Sequence, residues 1–295
     1  MDVKKLINLN QCVLNALHLF SSHKLLPLDF GHYQRPLVVG SGNAAVVGKI
    51  LFADKDAVFA DESTYPQKLN TIKDIDGCIL ISASGGKHAP VIAEEVRKRG
   101  KEVILLTHNP DALAKKYAHK TLIFPKQPEP YTYNTSTYLG LILAKTKESP
   151  HQILQSLQKL KIPENLGKYD AFFLIVPPEF DLLREIFLTK FDELFGAKIS
   201  GRVFTVEQAK HAKTLVPSDR ELLISLGWKN TFFGTKANRW NVPLPKDADD
   251  GLMMALGYYI IGHIQQQHPP YFKQNIERYC TEASKLFGEK IMVMV

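Results

Sequence analysis

Apolar and polar residues alternate along this chain with two different periods, one typical of amphipathic helices and one of buried strands. Residues 2–22 carry apolar side chains at helical spacing, which predicts a helix that covers other elements. Those apolar positions are Val3, Leu6, Ile7, Val13, Leu14, Leu17 and Phe20. Short apolar runs bounded by Gly, Pro or polar residues follow, and they favour buried strands. In the first half the predicted strands are residues 37–39, 56–60, 78–81, 102–107 and 120–124.

The segments between these strands predict helices. One follows the turn at residues 40–45 and ends at about residue 54, two span residues 66–72 and 89–99, and one starts at 109–111. The last follows residues 135–138 and ends at about residue 145. Strand and helix alternate with short links, which predicts a parallel sheet with helices on both faces.

The alternation repeats in the second half of the chain. The predicted strands there are residues 171–176, 202–205, 222–226, 231–233 and 241–244, and the predicted helices are 180–195, 247–267 and 271–287. The polar, amphipathic segment 148–163 separates the two series. A length of 295 residues suits two domains of ordinary size. We therefore predict an α/β protein with two three-layer αβα domains, residues 1–150 and 151–295.

Composition narrows the class of protein. With 45% hydrophobic and 23% charged residues, the chain can fill two cores and is not disordered. The formal net charge of +7 suits an anionic partner, but the basic residues are scattered, so we expect no nucleic-acid partner. The most apolar predicted helical stretch, residues 251–264, is too short to span a bilayer. Three widely spaced cysteines without a C-x-x-C motif suit reduced thiols in a cytoplasmic protein.

The strand predicted at residues 78–81 ends in Ser82-Ala83-Ser84-Gly85-Gly86-Lys87, and a helix follows at once. Backbone N–H groups, a helix dipole and hydroxyl donors together favour an anion at such a turn. A second turn, residues 40–45, follows the first strand and contains Ser41 and Gly42. A dinucleotide site would require a third glycine near position 45, where this chain has Ala45.

The turn at residues 82–87 resembles the phosphate-binding loop of the sugar-isomerase (SIS) family, whose pattern is S-x-S-G-x-T. Ser82, Ser84 and Gly85 match that pattern, and Lys87 stands in place of the threonine. The resemblance implies two SIS-type domains with flavodoxin-like, mainly parallel sheets. It also implies phosphate binding by Ser41, Gly42, Ser82, Ser84, Gly85, Lys87 and Thr135. A helix cap is the alternative role for Thr135.

The second half resembles the double-SIS isomerases in two further segments. Those proteins, such as the phosphoglucose/phosphomannose isomerases and the isomerase half of glucosamine-6-phosphate synthase, carry K-x-x-E on a helix and then E-L-K-H. Lys190 and Glu193 match the first motif, and residues 207–211, ending in His211, match the second with one extra residue. Lys290 resembles a tail lysine of the synthase half. The structural alternatives are a solvated helix pair for Lys190 and Glu193 and a surface side chain for His211.

This resemblance implies a phosphosugar aldose–ketose isomerase that acts on a hexose 6-phosphate through a cis-enediol. A carboxylate such as Glu193 suits removal of the carbon proton, His211 suits ring opening, and a lysine such as Lys190 or Lys290 can stabilise the oxyanion. No cofactor and no metal are expected, and the resemblance implies a homodimer. Two alternatives stay open: a non-catalytic phosphosugar-binding regulator, and an amino-sugar phosphate deaminase or deglycase.

Overall fold

The computed structural model describes residues 6–288 and 290–295 and contains two separate parallel sheets. The first sheet has five strands in the order β2-β1-β3-β4-β5, and every neighbouring pair is parallel. Its strands are β1 (Leu37–Gly40), β2 (Val58–Ala60), β3 (Gly77–Ile81), β4 (Glu102–Thr107) and β5 (Lys120–Ile123). The chain runs from β1 outward to β2 and then returns to β3 on the other side of β1. The order of strands therefore reverses between β1 and β3, which is where such sheets bind ligands.

The second sheet has four parallel strands in the order β7-β6-β8-β9. Its strands are β6 (Ala171–Val176), β7 (Ser200–Thr205), β8 (Glu221–Leu226) and β9 (Arg239–Val242). The sequence-based prediction of an α/β fold with parallel sheets is confirmed.

Ten α-helices surround the two sheets in the described part of the chain. They are α1 (Leu9–Ser22), α2 (Asn43–Leu51), α3 (Tyr65–Thr71), α4 (His88–Lys98), α5 (Thr135–Thr146), α6 (Pro150–Gln158), α7 (Leu183–Phe195), α8 (Val206–His211), α9 (Asp250–Gln267) and α10 (Tyr271–Phe287). None of these helices is both long enough and apolar enough to cross a membrane.

Alternate residues of each strand point to different cores, which produces three layers. In β1, Leu37 and Val39 belong to a core that α3 and α4 cover, whereas Val38 belongs to a larger core with α1, α2 and α5. In the second sheet, Phe173 and Ile175 of β6 pack under α8. Because both faces of the sheets are covered, the strands are continuous apolar runs.

The larger core runs without a break through both halves of the chain. Helix α1 packs on α9, and the carboxylate of Glu148, just after α5, accepts N–H bonds from Gly251 at 2.7 Å and Leu252 at 3.1 Å in α9. The boundary predicted at residue 150 coincides with the first residue of α6. The division into domains 1–150 and 151–295 stays a prediction.

Residues 231–233 do not form the predicted strand. The side-chain oxygen of Asn230 accepts the N–H groups of Phe232 and Phe233 at 3.1 and 2.8 Å. The Arg239 guanidinium donates to the carbonyl oxygens of residues 231–234. Side chains therefore satisfy the backbone groups that a strand would pair with a neighbour, and the segment turns.

Two predicted helix starts also differ from the structure. Residues 1–5 lie outside the described residues, and α1 begins only at Leu9, because its N–H donates to the side chain of Gln265 in α9 at 2.9 Å. After Asn109 a short 3₁₀ helix, Leu113–Tyr117, replaces the predicted α-helix. There the N–H of Ala114 donates to the carbonyl oxygen of Gly85 at 3.0 Å instead of extending an α-helix.

Gly262 allows α9 to approach α1 closely, since a Cβ there would lie 2.0 Å from the backbone nitrogen of Asn10. Alanine in a helix is favoured over glycine by about 1 kcal/mol. That gain is outweighed here, because the new Cβ would meet the backbone of Asn10, which cannot rotate away as a side chain can. We expect Gly262→Ala to lower the free energy of unfolding by about 1–3 kcal/mol, measured in urea. The exposed Gln266→Ala should change it by no more than about 0.5 kcal/mol. A more stable Gly262→Ala protein would contradict the packing of α1 on α9.

Candidate functional site

A cleft of about 580 Å³ lies at the carboxyl ends of the strands of the first sheet. The segments after β1, β3, β4 and β5 all contribute to its walls, as parallel strands of one sheet can. The start of α5, the side chains of Thr189 and Glu193 on α7, Tyr279 on α10 and the segment 290–295 complete it. The cleft therefore brings together residues from both halves of the chain.

The turn after β3 presents its two serines to this cleft. The hydroxyl oxygen of Ser82 accepts the N–H of Gly85 at 3.1 Å, and that of Ser84 accepts the N–H of Gly86 at 3.3 Å. Each hydroxyl keeps its own proton to donate, because it acts as an acceptor within the turn. Gly85 is buried beneath the turn with φ of +64°, and a Cβ there would lie 2.3 Å from that of Ala112. Gly85 therefore shapes the turn rather than lining the cleft.

Two helices begin at this end of the cleft. Helix α4 starts at His88, directly after the turn, and α2 starts at Asn43, directly after Ser41 and Gly42. Ser41, Gly42 and Asn43 all line the cleft, and Gly42 has φ of +54°. The side-chain oxygen of buried Asn43 has no hydrogen-bond partner among the described residues. The starts of two helices, the two serine hydroxyls and a third hydroxyl at Ser41 thus line one cleft, and such a set suits an anion.

Lys87 lines the cleft at the entry to α4, where its backbone has φ of +50°. Its Nζ donates to the Tyr131 hydroxyl at 2.8 Å and lies 4.3 Å from the centre of the Phe287 ring. No carboxylate among the described residues lies within ion-pair distance of it. Lys87 therefore brings to the cleft a positive charge that no carboxylate in the described part of the chain pairs with.

Glu193 lines the cleft from α7, and its side chain is 25% exposed. It forms an ion pair with Lys190, whose side chain is fully buried and whose Nζ also donates to the carbonyl oxygen of Thr132 at 2.7 Å. Burial raises the pKa of the Glu193 carboxyl above its ordinary value, and Lys190 opposes that rise. Lys190 and Glu193 are thus a buried pair at the cleft and not a solvated helix pair.

Two cleft residues that the sequence analysis missed are His108, after β4, and Lys126, after β5. The Lys126 Nζ lies 3.2 Å from His108 Nε2, and His108 Nδ1 lies 2.9 Å from the Thr137 hydroxyl. Burial, with a smaller effect of Lys126, lowers the pKa of His108 to about 4. Burial also lowers the pKa of Lys126. A neutral His108 can therefore accept from Lys126. The sequence holds one signal that could have identified them, because each is a polar residue shortly after the end of a predicted strand.

The segment 290–295 forms the remaining wall. The N–H of Val295 donates to the carbonyl oxygen of Glu129 at 3.0 Å. The N–H of Tyr131 donates to the carbonyl oxygen of Val293 at 2.8 Å. This antiparallel contact holds the segment against the start of α5, and Lys290, Ile291 and Met292 line the cleft. Lys290 therefore shares the cleft with Glu193.

Four predicted site residues do not line the cleft: Gly85 and Lys190, described above, and also Thr135 and His211. Thr135 is buried, and its N–H donates to the carboxylate of Glu129 at 2.8 Å. The N–H of Ser136 donates to the same carboxylate at 3.2 Å. Glu129 therefore accepts the first N–H groups of α5, and Thr135 is the first residue of that helix rather than its cap. His211 is exposed at the end of α8, beside the second sheet, and the single chain does not bring it to Glu193.

The sequence matches no protein-family model and no curated protein sequence significantly. Solved structures do share its fold. Glucosamine-6-phosphate deaminase from Thermotoga maritima is 15% identical, with a TM-score of 0.60, over 88% of this chain and 92% of that one. The C-terminal domain of glucosamine-fructose-6-phosphate aminotransferase from Francisella tularensis is 11% identical, with a TM-score of 0.60, over 87% and 92%. Tagatose-6-phosphate ketose/aldose isomerase from Escherichia coli is 13% identical, with a TM-score of 0.56, over 89% of both chains.

From the geometry of the turn at residues 82–87 we predict that the Ser82 and Ser84 hydroxyls bind a simple anion. The double variant Ser82→Ala, Ser84→Ala removes two hydroxyl donors but no backbone donor, and hydrogen bonds to a charged group contribute about 1.5–3 kcal/mol each. We expect its affinity for inorganic phosphate, measured by calorimetry, to fall at least tenfold. Ser63→Ala, outside the cleft, should leave the affinity unchanged. Equal affinities of the double variant and the unmodified protein would show that the turn is not the phosphate site.

Proposed function

We propose that this protein is a phosphosugar aldose–ketose isomerase, and that a hexose 6-phosphate such as glucose, mannose or fructose 6-phosphate is its substrate. One observation carries the proposal: a single cleft contains an anion-binding turn at residues 82–87 and a mostly buried carboxylate, Glu193. The turn binds the phosphate, with Ser41, Gly42, Asn43 and Lys87 beside it. Glu193 faces the reacting carbons.

Glu193 is the base that this reaction needs. It takes the proton from C2 of the open-chain aldose while the carbonyl oxygen at C1 is protonated, which gives the cis-enediol. It then returns a proton to C1 while the hydroxyl on C2 loses its proton, which gives the ketose. Its raised pKa favours this role, because a carboxyl with a pKa nearer to neutral is the stronger base once ionised.

Lysines supply the positive charge around the enediol. Lys190 orients the Glu193 carboxylate, since its Nζ donates both to that carboxylate and to the Thr132 carbonyl oxygen. Lys290 lies in the same cleft and suits the oxyanion that develops on the substrate. We propose no cofactor and no metal for these steps.

The names of the structures with the same fold support this substrate class. One is a ketose/aldose isomerase of tagatose 6-phosphate, and another is a deaminase of glucosamine 6-phosphate. The second leaves an amino-sugar phosphate deaminase or deglycase as a related candidate, since the same base serves proton transfer at C2 of an amino sugar. The homodimer and the cytoplasmic location implied by the sequence remain predictions, and sedimentation analysis tests the first.

The position of His211 favours a second candidate, a phosphosugar-binding regulator without catalytic activity. Ring opening needs a group that moves a proton between the ring oxygen and a hydroxyl, and His211 lies outside the cleft. His108 is in the cleft, but its pKa of about 4 keeps it neutral near pH 7. A protein that binds the phosphate and lacks this step would hold the sugar unchanged.

Solvent deuterium exchange at C2 of fructose or glucose 6-phosphate separates these candidates. We expect exchange in the unmodified protein and a loss of about 10²–10⁴ in its rate for Glu193→Gln, the usual contribution of a positioned base. The affinity for the sugar phosphate should change little, because the phosphate turn is intact. The exchange rate should fall as the pH drops through the raised pKa of Glu193, since only the carboxylate accepts the proton.

Glu185→Gln is the matched control, because Glu185 lies on the same helix, is exposed and does not line this cleft. Its exchange rate should stay within about twofold of the unmodified protein, the size of effect expected for a change of under 0.5 kcal/mol. Tight binding of a hexose 6-phosphate with no exchange at any pH would reject the isomerase and leave the binding protein.

A further inference from the structure

Lys126 and His108 form a pair in the cleft that the steps described above do not use. Lys126 follows β5 and His108 follows β4, and both line the cleft. The Lys126 Nζ lies 3.2 Å from His108 Nε2. An ammonium group has donors and no lone pair, so Lys126 is the donor in this contact and His108 Nε2 is the acceptor.

His108 is held on its other side as well. Because Nε2 is the acceptor, the neutral ring carries its proton on Nδ1, which donates to the Thr137 hydroxyl at 2.9 Å. Thr137 is buried in α5. The imidazole therefore has one orientation, and its Nε2 holds the Lys126 ammonium at a defined place in the cleft wall.

The pair lies beside the anion-binding turn. The N–H of His108 donates to the carbonyl oxygen of Ala83 at 3.2 Å, and the Thr107 hydroxyl donates to the same oxygen at 2.8 Å. The end of β4 is thus hydrogen-bonded to the turn at residues 82–87. Lys126 stands one strand further along the same edge of the sheet.

The Lys126 ammonium is partly buried, and none of the carboxylates in residues 6–288 and 290–295 lies within ion-pair distance of it. Burial lowers the pKa of Lys126, and the charge of Glu129 opposes that effect. The Glu129 oxygens already accept from Thr135 and Ser136. Lys126 is therefore a stronger acid than an exposed lysine, and it stands in the wall of a cleft.

We propose that Lys126 is the group that opens the sugar ring, by donating a proton to the ring oxygen, and that His108 positions it for this step. This role rests on the proposed function, and it fills the step that the sequence analysis assigned to His211. In a hexose 6-phosphate the ring oxygen is bonded to C5, next to the carbon that carries the phosphate. A donor beside the phosphate turn can therefore reach it.

The step balances without another reactant. Lys126 gives a proton to the ring oxygen as the bond between that oxygen and C1 breaks, and the hydroxyl on C1 becomes the carbonyl group. The proton of that hydroxyl goes to the Lys126 amine, which restores the ammonium. One nitrogen can serve both oxygens, because both are bonded to C1 in the ring. The open-chain aldose that results is the species from which Glu193 removes the C2 proton.

The interconversion of the α and β anomers of glucose 6-phosphate tests this role, because ring opening and closure alone interconvert them. NMR exchange spectroscopy measures its rate at saturating sugar phosphate. The unmodified protein should accelerate the interconversion. Glu193→Gln should still do so while it loses deuterium exchange, since no proton on carbon moves. Lys126→Met should lower the accelerated rate by about 10²-fold, the low end of the usual contribution of a positioned acid.

Lys126→Arg separates proton donation from charge. Arginine keeps the positive charge but stays protonated in proteins. This variant should therefore bind inorganic phosphate within about threefold of the unmodified protein, a change of under 1 kcal/mol, and still lose the accelerated interconversion. Lys116→Arg is the control, because it makes the same substitution at an exposed position outside the cleft. It should keep the full rate.

Two variants of His108 test its positioning role. His108→Phe removes the acceptor and should lower the interconversion rate about tenfold, the effect of one hydrogen bond of about 1–1.5 kcal/mol. His108→Gln offers a side-chain oxygen that can accept from Lys126, so it should recover most of that rate. Equal losses in the two variants would contradict the positioning role.

An accelerated rate that survives in Lys126→Arg would show that Lys126 supplies only charge, and it would overturn the proposal. A protein that binds glucose 6-phosphate but does not accelerate the interconversion would overturn it as well. If deuterium still exchanges at C2 in either case, the proposed function stands without this role of Lys126. If the unmodified protein shows neither interconversion nor exchange, both proposals fail.

Discussion

The buried ammonium group of Lys190 fixes the position of Glu193 relative to the rest of the cleft. It lies on α7 and joins the Glu193 carboxylate to the carbonyl oxygen of Thr132, which belongs to the first half of the chain. Removal of one partner of such a buried pair leaves an uncompensated charge, at a typical cost of about 3–5 kcal/mol. The position of the carboxylate in the cleft depends on this contact.

The fold could be predicted largely from the sequence because its information is local. Strands covered on both faces are continuous apolar runs, and the turns and helix ends between them have their own residue patterns. The errors lie where a distant side chain decides the backbone. Gln265 determines where α1 begins, and Arg239 holds residues 231–233 in a turn. Neither contact can be inferred from the neighbouring sequence.

The site could be predicted only in part, for the same reason. The turn at residues 82–87 and the spacing of Lys190 and Glu193 are local patterns, and the structure brings both to one cleft. His108 and Lys126 belong to no motif and meet only because β4 and β5 are neighbours in the sheet. The walls that α7, α10 and residues 290–295 give the cleft depend on how distant elements pack, which no single segment encodes.

A crystal structure of the protein with bound fructose 6-phosphate tests the central claim most directly, namely that one cleft holds the phosphate and presents C1 and C2 to a base. The account predicts phosphate oxygens within about 2.5–3.0 Å of the Ser82 and Ser84 hydroxyls, and the Glu193 carboxylate beside C1 and C2. A phosphate bound elsewhere, or a sugar whose C1 and C2 point away from Glu193, would contradict it.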